Sequence, residues 1–514
     1  MTRAPTRART LDRVHSFGML GLGAYYALLI VLSLFGLRRL FILVQYYRLR
    51  RALPRAERTS EASLPIVTVQ LPVFNEVHVV ERLLDSVTRL DWPRDRLEIQ
   101  VLDDSTDETA PLLARLVAAY RAQGIDVRHL HRETRMGYKA GALAEGLKVA
   151  RGELVAIFDA DFVPQPDFLR RTTPFFADAR LAFVQGGWEH MNREHSLLTR
   201  VQAILLDAHF RFEHTVRSLS GFFVNFTGTG GVWRARAIEE AGGLQHDTLI
   251  EDADLAYRAH LVGWRGLHVP DLLVPSELPE EPSAWRCQQQ RWAKGNAQVL
   301  RKLMPAILRS RVSWGAKVEC FLHLTSNCIH PVNLGLALLF IPSIWLRKGM
   351  GSLFFLDGAL FFLNFVWVSA YFALSQRERP GIGRRGWLRE LRVIPSLMAF
   401  GIGSSLSQSR AVVGGLFGRD LVFHRTPKAG RMRRPTGSYR APMSRMVLVE
   451  GALALAYAAA IVVAHLDANL APLHFLVLFF HGFVHVAGIS AWEPIQQRLA
   501  LRGARGRADV GASA

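Results

Sequence analysis

The chain has 514 residues, of which 50% are hydrophobic, with a formal net charge of +19 and a mean hydropathy of +0.13. This length exceeds that of one small domain, and this hydropathy is high for a soluble enzyme. The basic residues cluster beside apolar stretches and match the spacing of no nucleic-acid module, which favours a lipid surface over nucleic acid as partner. The three cysteines, Cys287, Cys320 and Cys328, fit neither a zinc site nor a disulfide framework.

The first apolar run, Phe17–Leu37, is uncharged and long enough to cross a membrane. It is too long for the core of a signal peptide and has no clear cleavage site, so we expect it to be retained. The segment after it is more basic than the segment before it. The positive-inside rule therefore places the N-terminus outside and the following domain in the cytoplasm.

Short β-branched runs alternate with helical patterns in the next part of the chain, which predicts an α/β domain with a mostly parallel sheet. The predicted strands are Ile66–Leu71, Glu98–Leu102, Leu154–Phe158 and Ala182–Gln185. Helices are predicted at Val79–Leu90 and Thr109–Gln123. Ligands of such sheets bind beyond the carboxyl ends of the strands, where polar clusters occur in this chain.

Two adjacent carboxylates, Asp103 and Asp104, end the second predicted strand. They can accept hydrogen bonds from a nucleobase or a ribose hydroxyl, or they can cap the helix that follows. Lys139 lies at a later helix start, which is a favourable place for an anion, and we expect it to face a phosphate.

Asp159 and Asp161 follow the third predicted strand and form the strongest single motif. Residues two apart in an extended segment point to the same side, so both carboxylates can reach one site. Their oxygens suit Mg²⁺ or Mn²⁺ bridging a diphosphate, and such a metal ion would neutralise charge on the leaving nucleotide. The alternative is a polar turn after an apolar strand.

Glu251 and Asp252 begin a helix, where Asp252 is placed to act as a general base on an acceptor hydroxyl. The alternative is a set of acids that favours a helix N-terminus. The Gly-rich segment around Gly228 and Thr229 lets a backbone approach a ligand closely, and we assign it with Glu251 to the acceptor side.

Gln288, Arg291 and Trp292 are three and four residues apart and share one face of a predicted helix. The Trp face can stack on a sugar ring, and the Arg can pair with a diphosphate. The alternative is an interfacial Trp–Arg pair beside the membrane.

Apolar segments return after this domain, and each is near the length of a crossing. They are Cys320–Leu346, Ser352–Leu374, Met446–Leu466 and Leu473–Trp492. Val393–Leu406 is shorter and contains Pro395, so we place it in the interface or as a re-entrant element. Five crossings result, with the C-terminus in the cytoplasm of a plasma or inner membrane protein.

With these motifs in place, the chain resembles the processive family 2 glycosyltransferases, in particular the cellulose-synthase-like A and C groups of mannan and glucan synthases. The resemblance is carried by LPVFNE, QVLDDSTDET, RMGYKAGAL, AIFDADFVPQPDF, FNFTGTGGVWR, EDADLAYR and QQQRW. It implies an α/β GT-A fold, which is a Rossmann-like nucleotide-sugar domain, inserted between transmembrane helices. It also implies an inverting single displacement with Mg²⁺ or Mn²⁺.

The resemblance implies a role for each matching residue. Asp103 and Asp104 would bind the nucleoside, Asp159 and Asp161 the metal and diphosphate, and Asp252 would be the base. Gln288, Arg291 and Trp292 would line the acceptor and nucleotide site. Phe423, Thr426 and Lys428 match the gating loop of cellulose synthases, although Arg425 departs from the usual Val.

We therefore expect a membrane-embedded enzyme that polymerises a β-linked glycan from UDP-glucose or GDP-mannose and passes it across the membrane. One alternative is a non-processive transferase that adds one sugar to a lipid, and another is a catalytically silent channel or scaffold. The expected organisation is as follows: a basic tail at 1–16, a crossing at 17–37, a juxtamembrane segment at 38–63, the transferase domain at 64–302, an interfacial helix and two crossings at 303–374, a basic loop at 375–445, two crossings at 446–492 and a tail at 493–514.

Overall fold

The computed structural model describes residues 4–55, 64–347, 351–418 and 446–511. The strands are β1 Val67–Val73, β2 Leu97–Asp103, β3 Val127–His131, β4 Leu154–Ile157, β5 Leu181–His190, β6 Gly231–Arg234 and β7 Arg265–Ser276. The helices up to the middle of the chain are α1 Ala4–Leu49, α2 Val80–Thr88, α3 Thr109–Ala122, α4 Tyr138–Lys148, α5 Phe168–Thr172, α6 Leu197–Ala208, α7 Thr215–Leu219, α8 Ala235–Glu240 and α9 Glu251–Leu261. The later helices are α10 Pro282–Arg309, α11 Trp314–Leu324, α12 Ile329–Leu346, α13 Gly351–Arg377, α14 Arg384–Glu390, α15 Ile394–Gly403, α16 Ser405–Phe417, α17 Met446–Leu466 and α18 Leu473–Gly511.

The described strands form one sheet in the order β3-β2-β1-β4-β6-β5-β7. β1 pairs in parallel with both β2 and β4, β2 with β3, and β5 with β7, whereas β6 is antiparallel to β4 and β5. The predicted mostly parallel sheet is therefore confirmed, with one antiparallel strand inserted. The four predicted strands and two predicted helices are present, with ends shifted by a few residues.

Helices cover both faces of the sheet, which explains why β2 is buried along its whole length. Leu83 and Val87 of α2 pack on one face, and Leu143 of α4 and Leu255 of α9 pack on the other. This three-layer packing buries the apolar runs that form the strands. Each strand ends where its apolar run stops and a polar cluster begins. The edge at the carboxyl ends of the parallel strands β1, β2 and β4 is therefore the place to look for a site.

Five helices in the described part of the chain are long and apolar enough to cross a membrane. These spans are Gly18–Ala52, Ser326–Leu346, Phe355–Arg377, Met446–Leu466 and Leu473–Trp492. The first is longer than predicted because α1 continues unbroken to Leu49. The predicted crossing Cys320–Leu346 is not one helix: α11 ends at Leu324, a 3-10 turn follows, and α12 begins at Ile329.

The stretch Val393–Leu406, predicted as an interfacial or re-entrant element, contains α15, which is too short to cross. α15 packs on α18, and a further helix, α16, packs on α10 and α12. Sequence reasoning missed α16, because its Ser- and Gly-containing sequence has little apolar periodicity. Both helices lie between the membrane spans and the sheet domain, so they connect the two parts.

Charged side chains also join the membrane helices to the sheet domain. Arg38 of α1 donates hydrogen bonds to Glu213 at 3.1 Å and to Glu319 at 2.6 Å, and all three side chains are buried. Glu213 belongs to a short π-helix at His209–His214, a local widening that is frequent at functional sites. A charge buried at this boundary requires its partner, since an unpaired buried charge is costly.

A second buried pair holds α10 against the last membrane hairpin, and it gives a stability prediction. Arg286 donates to both carboxylate oxygens of Glu450 on α17, at 3.0 and 2.7 Å. Removing one partner of a buried pair costs about 3–5 kcal/mol, so Glu450→Ala and Arg286→Ala should each lower the apparent unfolding temperature in detergent. The matched control is the double variant Arg286→Met with Glu450→Met, which leaves no charge unpaired and should recover most of the loss. Single variants that unfold at the wild-type temperature would contradict this role.

Candidate active site

The polar clusters that follow the strands line one cavity of about 180 Å³ at the carboxyl edge of the sheet. The predicted site residues on its wall are Asp104, Lys139, Asp159, Asp161, Gly228, Glu251, Asp252, Gln288, Arg291 and Trp292. β1, β2 and β4 contribute their ends, α9 its N-terminus and α10 one face. The structure thus brings together residues that are separated by up to 188 positions in the sequence.

Of the predicted site residues that the structure describes, Asp103 and Thr229 are absent from that wall. Asp103 is fully buried, and its carboxylate accepts hydrogen bonds from the Ser105 N–H at 2.8 Å and from His129 and His131 at 2.9 and 3.1 Å. Direct contact of Asp103 with a nucleoside is therefore not what this geometry offers. Burial works to raise the pKa of Asp103, but the hydrogen bonds from His129 and Ser105 outweigh it, so the pKa lies below its usual value.

Thr229 holds the backbone rather than facing the cavity. It is buried, and its hydroxyl accepts a hydrogen bond from the Asp159 N–H at 2.9 Å. This bond fixes the loop that carries Asp159 to the end of β4. Thr229 is therefore placed to position Asp159, and its contact with an acceptor stays a prediction.

One end of the cavity is lined by Asp104 and by an aromatic–arginine pair that sequence reasoning did not assign. Arg132 donates to both oxygens of Asp104 at 2.7 and 2.6 Å. The guanidinium of Arg135 lies over the ring of Phe74 at 3.5 Å from its centroid, a cation–π arrangement. Arg135 and Phe74 both line the cavity, so this end offers a flat, partly charged surface next to a carboxylate.

The centre of the cavity holds a lysine between acids. Lys139 donates from Nζ to Asp159 at 2.5 Å and to the Gly228 carbonyl at 2.8 Å. Burial works to lower the pKa of Lys139, but Asp159 and then Glu251 outweigh it, so the pKa is raised and the side chain stays charged. Asp161 lies two residues beyond Asp159 on the same wall. This set of carboxylate oxygens around a cation suits a hard divalent metal and a phosphate group.

Gly228 must be glycine for two reasons. Its φ is +81°, in the left-handed region that side chains rarely adopt. A Cβ there would also lie 2.8 Å from Oδ2 of Asp252 and 3.3 Å from Nζ of Lys139. The absence of a side chain therefore keeps the space between the lysine and Asp252 open.

Two acids at the start of α9, Asp252 and Asp254, have different roles. Asp252 lines the cavity, and loss of contact with water, followed by repulsion from Glu251, raises its pKa to about 7. Asp254 is fully buried, accepts a hydrogen bond from Arg258 at 2.8 Å and forms an ion pair with Lys302 at 2.9 Å, so it stabilises the fold. A carboxylate with a pKa near neutrality in a cleft has the property expected of a general base.

Close packing brings α10 against α9 beside Asp252. A Cβ on Gly295 would lie 2.6 Å from Cγ2 of Ile250, which leaves no room for a side chain. As a result Gln288, Arg291 and Trp292 lie on the cavity wall together, as their spacing predicted. Sequence reasoning assigned no role to Gln289, which follows Gln288 and lines two neighbouring cavities instead.

Two further cavities of about 250 and 320 Å³ neighbour this one on the side of the membrane helices. The first and second share six wall residues: Trp188, Leu206, Thr227, Ile250, Asp252 and Trp292. The second and third share Arg39, Leu205, Gln289, Ser326, Asn327 and Phe372. The third extends along α1 from Arg39 to Tyr25, about 21 Å of helix at 1.5 Å per residue. The predicted gating-loop residues Phe423, Thr426 and Lys428 lie outside the described residues.

Comparisons with known proteins agree with this geometry. The model of the family described as "Glycosyltransferase like family 2" matches residues 65–295. The chain is 43% identical over 304 residues to glucomannan 4-beta-mannosyltransferase 2 of Arabidopsis thaliana, covering 56% of this chain and 57% of that protein. It is 46% identical over 255 residues to glucomannan 4-beta-mannosyltransferase 1 of Oryza sativa subsp. japonica, covering 49% of each. These alignments span about half the length of the curated relatives.

A solved structure shares the fold at low sequence identity. A mannosyltransferase from Pyrobaculum calidifontis, solved in complex with GDP-Man and Mn²⁺, superposes with a TM-score of 0.52 at 21% identity, covering 77% of this chain and 100% of that one. At this identity the likeness shows a common fold. The predicted GT-A fold flanked by apolar helices is thereby confirmed.

Proposed function

We propose that this chain, whose residues 65–295 match the model of the family described as "Glycosyltransferase like family 2", is a membrane-embedded, inverting hexosyltransferase that polymerises a β-linked glycan of the β-1,4-mannan or glucan type. The donor is a nucleotide sugar, UDP-glucose or GDP-mannose, and the acceptor is the growing chain. The mannosyltransferase names of the similar plant proteins support the mannan type.

The series of three neighbouring cavities that share wall residues is the observation that carries this proposal. Asp252 and Trp292 lie on the walls of both the first and the second cavity, and Gln289 on those of the second and third. A product made beside Asp252 can therefore leave toward the membrane helices. An enzyme that adds one sugar to a soluble acceptor does not need such a passage. An enzyme that extends a polymer at one end and passes it across the membrane does.

On the donor side, the end of the cavity with Asp104, Phe74 and Arg135 would hold the nucleoside, and Lys139 and Arg291 would pair with phosphate oxygens. Asp103 would act indirectly, because it fixes the end of β2. Asp159 and Asp161 would hold Mg²⁺ or Mn²⁺, which supplies positive charge to the leaving diphosphate. Mn²⁺ accompanies GDP-Man in the Pyrobaculum structure.

On the acceptor side, Trp292 would stack on the terminal sugar of the growing chain, with Gln288, Glu251 and the backbone at Gly228 beside it. Asp252 would remove the proton from the attacking hydroxyl, whose oxygen forms a bond to the anomeric carbon as the bond to the nucleoside diphosphate breaks. Attack from the side opposite the leaving group inverts the anomeric centre. The charged Lys139 and Arg291 stabilise the negative charge that develops on the departing phosphate.

The pKa of Asp252 gives a pH prediction. A base is active when deprotonated, so kcat/KM at low donor concentration should rise as the pH increases through about 7, the value to which burial raises this group. An ordinary aspartate with a pKa of about 3.9 would give a flat profile over the same range. Initial rates between pH 5.5 and pH 8.5 measure this rise in kcat/KM. A rate that is independent of pH in this range would contradict the assignment of Asp252 as the base.

The membrane arrangement is also part of the proposal. The arginine-rich segments beside the spans support a cytoplasmic location of the sheet domain and the C-terminus in a multi-pass protein. The nucleotide sugar would then be used on the cytoplasmic side, and the third cavity would lead the glycan across the bilayer. The gating-loop motif at Phe423, Thr426 and Lys428 would close over the bound nucleotide.

The test uses the full chain purified in detergent or nanodiscs with Mg²⁺ or Mn²⁺. Radiolabelled UDP-glucose and GDP-mannose are supplied separately, and the product is sized and digested with linkage-specific hydrolases. A long polymer from one donor, cut by one hydrolase, is the expected result. A single sugar in the lipid fraction would support the non-processive alternative, and absence of sugar transfer from either donor would contradict the proposal.

A further inference from the structure

A cluster of two histidines and one carboxylate lies at the outer edge of the sheet, next to the donor cavity. β2 and β3 pair in parallel, with Val101 opposite His129 and Asp103 opposite His131. His129 and His131 are two residues apart on one strand, so their side chains share a face. Oδ2 of Asp103 lies 2.9 Å from Nε2 of His129 and 3.1 Å from Nδ1 of His131.

The donor atoms of this cluster differ from those of the catalytic acids. Two imidazole nitrogens and a carboxylate oxygen form a set that zinc and neighbouring transition metals prefer, whereas the oxygens of Asp159 and Asp161 suit Mg²⁺ or Mn²⁺. Within the described residues, the cluster is the one group of three or more such side chains whose ligand atoms all lie within 4.8 Å of one another.

The distances are close to those of a coordinated ion. Ligand atoms at about 2.0–2.2 Å from a tetrahedral metal are separated from one another by about 3.4 Å. The two separations from Asp103, 2.9 and 3.1 Å, are a few tenths of an ångström below this value, and the separation between the two imidazole nitrogens is at most 4.8 Å. A neutral imidazole can offer the nitrogen that now faces Asp103 by carrying its proton on the other ring nitrogen.

An ion could enter this cluster, and the neighbouring arginine does not oppose it. The side chain of Asp103 is fully buried, whereas those of His129 and His131 are 18% and 43% exposed, which leaves an open side for a water ligand. Arg132 follows His131 directly, but its guanidinium is neutralised by both oxygens of Asp104. Asp103 therefore keeps its negative charge available to an ion.

We propose that Asp103, His129 and His131 form a second metal site, separate from Asp159 and Asp161, which takes one divalent transition-metal ion such as Zn²⁺ or Co²⁺. A bound ion would join the ends of β2 and β3 and fix the strand from which Asp104 reaches the donor cavity. The site is thus a structural support for nucleotide binding. Metal binding can be measured without turnover, so this inference can fail or hold independently of the proposed transferase activity.

The test is a Co²⁺ titration of the full chain, purified with a tag that contains no histidine and freed of metal with a chelator. The visible absorption of protein-bound Co²⁺ should report one ion per chain that excess Mg²⁺ does not displace. The double variant His129→Ala with His131→Ala should bind Co²⁺ more than about 100-fold more weakly, since losing partners of metal ligands alone costs about 10- to 100-fold.

Three control variants make the result specific. Asp161→Asn removes a proposed ligand of the catalytic metal and should keep the Co²⁺ signal. His195→Ala should also keep it, because His195 is a partly exposed histidine that pairs with Glu280. His131→Cys retains a ligand and should keep binding with an altered spectrum, which separates loss of a ligand from loss of the fold. A signal that survives the double variant, disappears in Asp161→Asn or is displaced by Mg²⁺ would overturn the proposal.

Discussion

Asp252→Asn is expected to reduce sugar transfer by about 100- to 10,000-fold, the usual contribution of a general base, while nucleotide binding stays within about twofold. The substitution keeps the shape of the side chain and its place at the N-terminus of α9. It removes only the ability to take a proton from the acceptor hydroxyl. Initial rates with the active donor, together with nucleotide affinity measured by calorimetry, separate the two effects.

The matched control is Asp247→Asn, which changes an acid of the preceding segment that is more than half exposed and pairs with Lys302. It should leave the rate within about twofold, since exposed ion pairs contribute little. If Asp252→Asn weakened nucleotide binding as much as it slowed transfer, Asp252 would be a structural or binding residue. If it left the rate unchanged, another group would be the base.

Asp161→Asn is the second change with a large expected effect. Loss of one of the two proposed metal ligands should lower the rate by about 1,000-fold, since a bound metal supplies several kcal/mol of charge stabilisation and each 1.4 kcal/mol is a factor of ten. In contrast to Asp252→Asn, it should also abolish the increase in nucleotide affinity that Mg²⁺ or Mn²⁺ produces. Nucleotide titrations with and without the metal measure that difference.

The control for this variant is Asp167→Asn, an acid six residues along the same loop whose side chain is 58% exposed. Its affinity for nucleotide should respond to metal as in the wild type. A wild-type metal response in Asp161→Asn would place the metal elsewhere, and an equal loss in Asp167→Asn would point to a disturbed loop.

Much of the site could be predicted because its residues follow buried strands. The apolar runs of β1, β2 and β4 end where hydrogen-bonding side chains begin, so the strand pattern alone placed Asp159 and Asp161 at the carboxyl edge. The helical spacing of Gln288, Arg291 and Trp292 likewise predicted a shared face. These predictions depend only on residues that are close in the sequence, and the periodicity of a strand or helix shows how such residues are arranged.

The features that the sequence did not predict depend on neighbours in space. Asp103 and Asp104 are adjacent, yet one is fully buried against histidines of β3 and the other lines the cavity, and the sequence does not state which strand lies beside β2. The contact between Thr229 and the Asp159 N–H was not predicted, because the path of that loop depends on the antiparallel strand β6. The break in the helix after Leu324 was not predicted, because the sequence is apolar on both sides of it.

The most direct test of the whole account compares the product length of the wild-type chain with that of Ser326→Trp. Ser326 lies where the second and third cavities meet, so an indole there would obstruct the passage while leaving the donor cavity intact. Leu338→Trp is the matched control, because Leu338 is an exposed apolar residue of α12. The account predicts short oligosaccharides from Ser326→Trp and long polymer from the wild type and the control. Polymer of unchanged length from Ser326→Trp would contradict a passage through these cavities.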